Sequence, residues 1–288
     1  MFLVVGDVID DILVRPKGPI RTNTDVESEI EISAGGSAAN FASWLASLGT
    51  KVNFVGRVAS ADVERHSQNL KAYGVTPHLQ ADDSSPTGSI VVLVQGEDRT
   101  FLTDRGANKN LDVSLIPDEL FGDLVYLSGY SLLSLSPQAV KTLIQRAHSR
   151  GAKVACDPGS AGFIEDFGVK QFLVALEGVD LLLPNLEEGR VLSGEDRPEL
   201  ICGFLAERFE TVALTMGQDG CAVQSGDEYL RLEAVAADIV DSTGAGDAFA
   251  AAFLNQLAKA PDLTAAATAG VRLGAIAVTF PGGRPKGD

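Results

Sequence analysis

The run Asp241-Ser242-Thr243-Gly244-Ala245-Gly246-Asp247-Ala248-Phe249 decides how the fold of this 288-residue chain is interpreted. The apolar segment 236–240, which precedes this run, predicts a short strand. After the run, apolar residues recur at the spacing of a helix, at Ala248, Phe249, Ala252, Phe253 and Leu257. Segment 243–246 is therefore predicted to be a turn that leads from a strand into a helix.

This turn has the features of an anion-binding site. The first N–H groups of a helix have no internal partner, and the helix dipole adds about half a positive charge there. Gly244 and Gly246 carry no side chain that would keep a phosphate from these amides. Asp247 is placed to accept the proton of a hydroxyl that attacks a phosphoryl group. The alternative is a simple tight turn in which Asp247 only caps the helix.

The run from Asp241 to Leu254 resembles the second signature of the ribokinase-like (PfkB-type) carbohydrate kinases. This resemblance implies that Asp247 is the general base and that the amides of Gly244, Ala245 and Gly246 form the anion hole. A dinucleotide-binding fingerprint fits less well, because Phe249 stands where its third glycine belongs.

Composition limits the classes of function and partner. The chain has 23 Lys and Arg against 39 Asp and Glu, and its net charge of −16 argues against nucleic acid as a partner. No run of about eighteen apolar residues and no basic leader is present, so we expect a cytoplasmic protein without a membrane partner. Three widely spaced cysteines, with no metal-binding pattern, indicate buried thiols in a reducing compartment.

The N-terminal segment predicts a buried strand at residues 2–5, followed by Gly6 and Asp7. Ligands of open α/β sheets bind at the carboxyl ends of the strands. Asp7, and Asp11 shortly after it, are therefore candidates to hold sugar hydroxyls. The alternative is that one of these acids caps a turn.

A second glycine turn, Gly35-Gly36, opens a predicted helix that ends at Gly49. The segment from Ala34 to Asn40 resembles the first signature of the same kinase family. The resemblance implies that the two glycines let a sugar approach the backbone and that Asn40 binds one of its hydroxyls.

Two segments, 12–33 and 87–104, are predicted to form a four-stranded lid inserted in a single domain that spans residues 1–288. Each contains two β-like runs, and the second includes a hairpin at Gly96-Glu97-Asp98. In the family such a lid covers the sugar and excludes water. Lid edges in the family also pair into dimers, which makes a homodimer through the lid the expected assembly.

Arg105 directly follows the lid. In relatives that phosphorylate a keto-deoxy sugar acid, an arginine near this place contacts the substrate carboxylate. A solvated surface arginine is the equally weighted alternative.

The rest of the chain alternates between strands and helices, which predicts a parallel sheet. The predicted strands are 123–127, 152–156, 179–183 and 211–215, and the predicted helices are 137–150, 169–176, 186–193, 198–209 and 264–278. We therefore expect an α/β fold, a three-layer parallel-sheet ribokinase-like domain with a small β-sheet lid.

Three further elements resemble the nucleotide and metal sites of the family. Asn185 and Glu188 match an Asn-x-x-Glu element that positions Mg²⁺ through water, although acids are also common at helix starts for electrostatic reasons. A Thr-x-Gly-x-x-Gly element implies nucleotide binding by Thr215, Gly217 and Gly220, together with Asn185 and Thr243. Asp241 and nearby carbonyls are implied to hold a monovalent cation such as K⁺.

The leading hypothesis is an ATP- and Mg²⁺-dependent kinase that phosphorylates a hydroxyl of a small sugar or sugar acid, of the ribose, fructose or 2-keto-3-deoxygluconate type. A nucleoside kinase of the adenosine type with the same fold is the first alternative. A catalytically silent sugar-binding protein is the second, and the presence of Asp247 argues against it.

Overall fold

The computed structural model describes residues 1–95 and 98–286. Gly96 and Glu97 of the predicted lid hairpin lie outside the described residues. Within the described part, no helix combines the length and the apolar character needed to cross a membrane.

The described residues form the following elements, numbered in chain order. The strands are β1 (Phe2–Val5), β2 (Ile9–Pro16), β3 (Ser28–Gly35), β4 (Val52–Val55), β5 (Arg57–Ala59), β6 (Thr76–Pro77), β7 (Gln80–Asp82), β8 (Gly88–Gln95), β9 (Asp98–Asp104), β10 (Leu124–Ser128), β11 (Lys153–Asp157), β12 (Leu181–Leu182), β13 (Thr211–Thr215), β14 (Cys221–Ser225) and β15 (Glu228–Leu232). The helices are α1 (Ser37–Ser47), α2 (Val63–Ala72), α3 (Gly129–Leu132), α4 (Pro137–His148), α5 (Ala161–Phe167), α6 (Val169–Ala175), α7 (Leu186–Ser193), α8 (Pro198–Ala206), α9 (Ala245–Lys259) and α10 (Leu263–Ala277).

A nine-stranded sheet has the order β15-β14-β13-β12-β11-β10-β1-β4-β6. The strands from β13 to β6 pair in parallel, and β14 and β15 continue the sheet antiparallel. Strand β1 is buried on both faces because alternate residues enter two cores. Phe2 and Val4 pack with α1, α9 and α10, whereas Leu3 and Val5 pack with α4 to α8. The predicted three-layer α/β fold is confirmed.

The position of β1 determines where a ligand site can form. It lies between β10 and β4, so the strand order changes direction beside it. Crevices at the carboxyl ends of strands beside such a reversal bind ligands in open α/β sheets. Asp7 follows β1, and Ser128 and Asp157 end the adjacent strands β10 and β11.

The small sheet has the order β3-β2-β8-β9. Strand β2 pairs antiparallel with β3 and parallel with β8, and β8 pairs antiparallel with β9. The four strands of the predicted lid are therefore present, and they are longer than the β-like runs that the sequence indicated. The pairing places Asp11, Ile90 and Thr103 side by side on one face.

The strand predicted at residues 236–240 was wrong. No strand is assigned there, and the segment is extended with Ile239 and Val240 exposed. One backbone hydrogen bond joins the N–H of Val240 to the carbonyl of Val278, but no neighbouring strand supplies a ladder. Apolar character alone was therefore not enough to predict a strand, because a strand also requires a neighbouring strand to pair with.

The hairpin of β14 and β15 was not predicted, although the pair Gly226-Asp227 at its turn is a hairpin signal in the sequence.

Tyr126 at the centre of β10 carries a buried hydroxyl for which the described residues offer no hydrogen-bond partner. Its ring stacks on Phe41 with the centroids 3.6 Å apart. We predict that Tyr126→Phe raises the free energy of unfolding by about 1 kcal/mol, because it removes a polar group that lost its hydration on folding. Urea denaturation measures this, with the partly exposed Tyr229→Phe as the control. A clear loss of stability in Tyr126→Phe would contradict the prediction.

Candidate active site

The predicted catalytic turn lies at the N-terminus of α9. Gly244 precedes the helix with a φ of 75°, and a Cβ there would lie 2.4 Å from the carbonyl oxygen of Gly283. A side chain at position 244 is thus excluded both by conformation and by space. Gly246, one residue into the helix, faces open space. The N–H of Ala245 donates to the carbonyl of Ser242 at 3.3 Å, whereas the open space at Gly246 leaves room for a ligand beside its amide.

Asp247 lies in the same first turn and is only 8% exposed. The hydroxyl of Ser37 donates a hydrogen bond of 2.7 Å to its Oδ1. Burial raises the pKa of Asp247 well above its usual value, and the charges of Asp157 and Asp7 raise it further. Hydrogen bonding from Ser37 and Asn40 lowers that pKa in part. A carboxylate in this environment is a stronger base than an exposed aspartate.

Asp7 connects three elements of the site. Its Oδ2 accepts a hydrogen bond of 2.7 Å from the N–H of Ser37, and its Oδ1 accepts bonds from the N–H of Ala38 at 3.3 Å and the hydroxyl of Ser128 at 2.7 Å. Asp7 therefore caps the N-terminus of α1, the structural alternative that the sequence left open. It also lines the cavity described next.

A cavity of about 200 Å³ opens beneath the small sheet. It collects residues that lie far apart in the sequence and come from the small sheet, both glycine turns and α3. Its lining residues are Asp7, Ile9, Asp11, Gly36, Ser37, Asn40, Ile90, Val92, Phe101, Thr103, Arg105, Asn108, Tyr130, Ser131, Thr243, Gly244 and Asp247. The predicted base and most of the predicted substrate residues therefore share one cavity.

Both glycines of the first signature occupy positions that other residues would not fit. Gly36 has a φ of 100°, and a Cβ there would lie 2.6 Å from the carbonyl oxygen of Asp7. A Cβ on Gly35 would lie 2.1 Å from Oδ2 of Asp11. Gly35 lies behind Asp11 rather than on the cavity wall. Burial raises the pKa of Asp11 to about 6, against the opposing charge of Arg284.

Arg105 faces the cavity rather than bulk solvent alone. Its guanidinium lies 4.7 Å from the ring centroid of Phe163, and the ring of Tyr130 meets that of Phe163 edge to face. Burial lowers the pKa of Arg105. The structure thus places a cation at the cavity, which favours the ligand-binding alternative over a fully solvated side chain.

Asn185 and Glu188 bond to each other as a capping box at the start of α7. The side chain of Asn185 accepts from the N–H of Glu188 at 2.9 Å, and the N–H of Asn185 donates to Glu188 Oε2 at 2.9 Å. Glu188 is 2% exposed, and burial raises its pKa to about 7. Both residues lie outside the cavity, so their predicted role toward Mg²⁺ remains a prediction.

The predicted nucleotide residues Thr215, Gly217 and Gly220 form a turn between β13 and β14, also outside the cavity. Gly217 has a φ of 58° and faces open space. Gly220 is required for packing, because a Cβ there would lie 2.0 Å from the carbonyl oxygen of Leu232. The N–H of Thr215 donates to Pro184, which joins this turn to Asn185.

Asp241 ties the catalytic turn to the loop after α10. Its Oδ1 accepts hydrogen bonds from the N–H of Thr243 at 3.0 Å and from the Thr243 hydroxyl at 2.7 Å, and its Oδ2 accepts from the N–H of Gly282 at 3.1 Å. These contacts give it a structural role. The predicted binding of a monovalent cation is not tested by them.

Four acids act on one another at the carboxyl ends of the strands: Asp7, Asp157, Glu188 and Asp247. Burial raises the pKa of Asp157 well above its usual value, and the charges of Glu188 and Asp7 raise it further. Such a set suits a nearby cation, because the repulsion among buried carboxylates is then relieved. Within the described ranges, no three acidic, His or Cys side chains are grouped to bind a metal directly.

Sequence reasoning missed several residues of the site. Ser37 lies inside the first signature and Ser128 directly follows the predicted strand 123–127, so both could have been predicted from the sequence. Asn108 was also overlooked; its amide bonds both backbone groups of Val8. Arg284 had no sequence signal at all, because its contacts lie more than two hundred residues earlier in the chain.

The raised pKa of Glu188 predicts a specific pH dependence. The folded state holds this proton more tightly than the unfolded state, whose reference pKa is 4.5. The associated stabilisation is complete below pH 4.5 and is lost as the pH rises through about 7. We expect Glu188→Gln to gain stability relative to the wild type across this window, by on the order of 3 kcal/mol. Urea denaturation at several pH values measures the difference.

The exposed neighbour Glu187 offers a matched control for this experiment. Glu187→Gln removes the same charge from the same helix turn without a change in burial. A difference between Glu188→Gln and the wild type that stays constant from pH 4.5 to 7.5 would contradict the prediction.

Comparison with known proteins is consistent with this geometry. A model of the pfkB family carbohydrate kinases matches residues 1–286. An uncharacterised sugar kinase from Archaeoglobus fulgidus is 29% identical over 233 residues, which cover 76% of this chain and 88% of that protein. The bifunctional protein HldE from Pseudomonas paraeruginosa is 31% identical over 312 residues, and the match covers 97% of this chain but only 62% of HldE.

Solved structures agree in fold. The adenosine kinase from Sinorhizobium meliloti superimposes with a TM-score of 0.88 at 24% identity, covering 99% of this chain and 95% of that one. A protein from E. coli assigned as ribokinase II, solved with ATP and Mg²⁺, has a TM-score of 0.86 at 24% identity, covering 98% of this chain and 94% of that one. The chain belongs to the pfkB family of carbohydrate kinases, which are phosphotransferases with hydroxyl acceptors.

Proposed function

We propose that this protein is an ATP- and Mg²⁺-dependent kinase that transfers the γ-phosphoryl group to a hydroxyl of a small sugar or sugar acid. The ribose, fructose and 2-keto-3-deoxygluconate types are the acceptor classes to test. One observation carries the proposal: the buried Asp247 lines the same cavity as Gly244, the residue that immediately precedes its helix.

In this proposal Asp247 takes the proton of the acceptor hydroxyl as that oxygen bonds to the γ-phosphorus. The bond from the γ-phosphorus to the bridging oxygen breaks, and ADP leaves with that electron pair. The amides at Gly244, Ala245 and Gly246, at the start of α9, stabilise the charge on the transferring oxygens.

Within the cavity, the carboxyl of Asp11 and the amide of Asn40 offer hydrogen bonds to the hydroxyls of the sugar, and Asp7 and Gly36 form the wall beside them. Arg105 offers a cation for an acid group of the substrate. Its burial supports this role, since a partly desolvated guanidinium gains more from an anionic partner than an exposed one does. A sugar acid therefore belongs in any acceptor screen.

The nucleotide is proposed to lie outside this cavity along Thr215, Gly217, Gly220 and Asn185, and to reach the cavity edge at Thr243. Asn185 and Glu188 would hold Mg²⁺ through water, and the acidic surroundings of Glu188 fit a cation. When bound, Mg²⁺ neutralises phosphate charge during transfer.

We further propose that Asp241 and nearby carbonyls bind a K⁺ ion. A comparison of activity in K⁺ and Na⁺ buffers tests this proposal.

A nucleoside acceptor is the second candidate, and a specific observation favours it. The side of the cavity toward the small sheet is largely apolar, formed by Ile9, Ile90, Val92 and Phe101. A nucleobase would cover this surface better than a free sugar would, because it has an apolar face. A catalytically silent sugar-binding protein would release no ADP with any acceptor.

The function is tested by a coupled assay of ADP release over pentoses, hexoses, 2-keto-3-deoxygluconate and nucleosides. We expect Asp247→Asn to lower kcat at least about a hundred-fold, because proton abstraction contributes roughly 10² to 10⁴. Its affinity for ATP, measured by calorimetry, should stay close to that of the wild type. Asp262→Asn serves as the control, because Asp262 caps α10 at the end of α9 remote from the turn. Wild-type turnover in Asp247→Asn would refute the role.

We also propose that the protein acts in the cytoplasm as a homodimer through the lid. Its three cysteines are free and buried, which suits a reducing compartment. The outer face of the small sheet is apolar across all four strands, and three of its side chains are more than half exposed: Ile30, Ile32 and Leu102. A second copy would cover this face with an equally apolar one.

We predict that the wild type elutes as a dimer in size-exclusion chromatography with light scattering and that Ile32→Lys elutes as a monomer. A buried lysine would lose its hydration at such an interface. Ile239→Lys is the matched control, because Ile239 is equally exposed, at 69%, but lies outside the small sheet. A monomeric wild type would exclude the assembly.

A further inference from the structure

Arg284 is a buried cation next to the proposed acceptor site, and no sequence motif includes it. It is 7% exposed and follows the pair Gly282-Gly283. The indole N–H of Trp44 donates to the carbonyl of Gly283 at 2.9 Å, which fixes this segment against α1. Such burial of a guanidinium is costly unless its donors are satisfied.

The guanidinium donates to three neutral acceptors. Nε donates to Oδ1 of Asn40 at 3.1 Å, Nη2 donates to the carbonyl of Gly35 at 3.0 Å, and Nη1 donates to Oδ1 of Asn69. Its Cζ also lies 5.8 Å from the ring centroid of Tyr73. Among the described residues Arg284 forms no ion pair, so no single carboxylate neutralises its charge. That charge acts instead on the acids of the cavity, chiefly Asp11 and Asp247.

The contact with Asn40 has a chemical consequence. An asparagine amide has one acceptor oxygen and one donor nitrogen, and the two ends are nearly equal in shape. A guanidinium only donates, so only the oxygen of Asn40 can face Arg284. The NH₂ end is then directed toward Asp247, with which Asn40 hydrogen-bonds, and it packs beside Gly283, where a Cβ would lie 2.4 Å from Nδ2. Asn40 and Asp247 both line the cavity.

We infer that Arg284 is a positioning residue of the acceptor site, which fixes the Asn40 amide so that its NH₂ faces the acceptor hydroxyl and Asp247. The same side chain holds the carbonyl of Gly35, and thereby the turn that Asn40 follows. This inference rests on the proposed function, since it makes Asn40 a ligand of the acceptor.

A purely structural role is the competing interpretation, in which Arg284 only joins the segment after α10 to α1 and α2. The two interpretations differ in what they predict for kinetics. A structural defect would lower stability and disturb both substrates, whereas a misoriented Asn40 would weaken the acceptor selectively. The loss of one such hydrogen bond changes affinity by roughly 5- to 100-fold.

The test compares Arg284→Gln with the wild type in steady-state kinetics, using the acceptor found in the ADP-release screen. We expect the KM for the acceptor to rise at least about fivefold, the KM for ATP to change less than twofold, and kcat to fall less than the acceptor KM rises. Arg284→Lys, which keeps the charge but presents a single nitrogen, should recover part of the loss. Equal effects on both KM values, or none, would overturn the inference.

Arg146 supplies the matched control. It is another largely buried arginine that donates to two backbone carbonyls, those of Val113 and Ile116, but it lies on α4 at the other face of the sheet. Arg146→Gln should leave both KM values unchanged even where it lowers the melting temperature. A rise of the acceptor KM in this variant would show that the readout follows stability alone.

A double-mutant cycle with Asn40→Ala separates action through Asn40 from independent action. If Arg284 works through Asn40, adding Arg284→Gln to Asn40→Ala raises the acceptor KM no further. Fully multiplicative effects would contradict the inference. Should Arg284→Gln not fold, Arg284→Lys takes its place in the same cycle.

A measurement that needs no catalytic turnover tests this inference separately from the proposed function. In a ¹⁵N-labelled sample, the side-chain amide of Asn40 is identified by its loss in Asn40→Ala. We expect Arg284→Gln to accelerate the exchange of the Asn40 side-chain amide protons with solvent, while Arg146→Gln leaves this exchange unchanged. An unaltered amide in Arg284→Gln overturns the positioning role, whereas a wild type without ADP release on any acceptor overturns the kinase proposal alone.

Discussion

Two hydrogen bonds of Ser37, one to Asp7 and one to Asp247, hold the two halves of the candidate site together. The N–H of Ser37 donates to Asp7 at the end of β1, and the hydroxyl of the same residue donates to Asp247 at the start of α9. One serine therefore links the central strand, helix α1 and the proposed base. This linkage is therefore anchored to a central strand that is buried on both faces.

The site brings four acidic side chains together at the carboxyl ends of the central strands. Asp7, Asp157, Glu188 and Asp247 are largely removed from solvent, and burial together with the charges of neighbouring acids raises the pKa of Asp157, Glu188 and Asp247. Such repulsion costs stability in the resting protein and favours the approach of a cation. Helix N-termini and buried arginines provide the compensating positive potential in a chain whose net charge is −16. This arrangement is typical of a site that binds phosphate together with a metal ion.

Much of the fold and of the candidate site was predictable from the sequence. The apolar run of β1, the alternation of strands and helices, and the two glycine turns each depend on local patterns that survive in the structure. The strand expected at 236–240 failed because its pattern was apolar but its partner strand was absent. Arg284 and Asn108 could not be predicted, since their roles depend on contacts with Asn40, Asn69 and Val8, which are distant in the chain.

The sequence by itself determined the local chemistry: which turns lack side chains, where a helix begins, and which acid stands at its first turn. These properties are fixed by backbone conformation and residue type within a few positions. Only the tertiary structure decided how these pieces combine, because the environment of a carboxyl depends on what surrounds it in space. Burial and neighbouring charge are the sums of contacts from several elements, and they turn Asp247 from a helix-capping acid into a buried group beside a cavity.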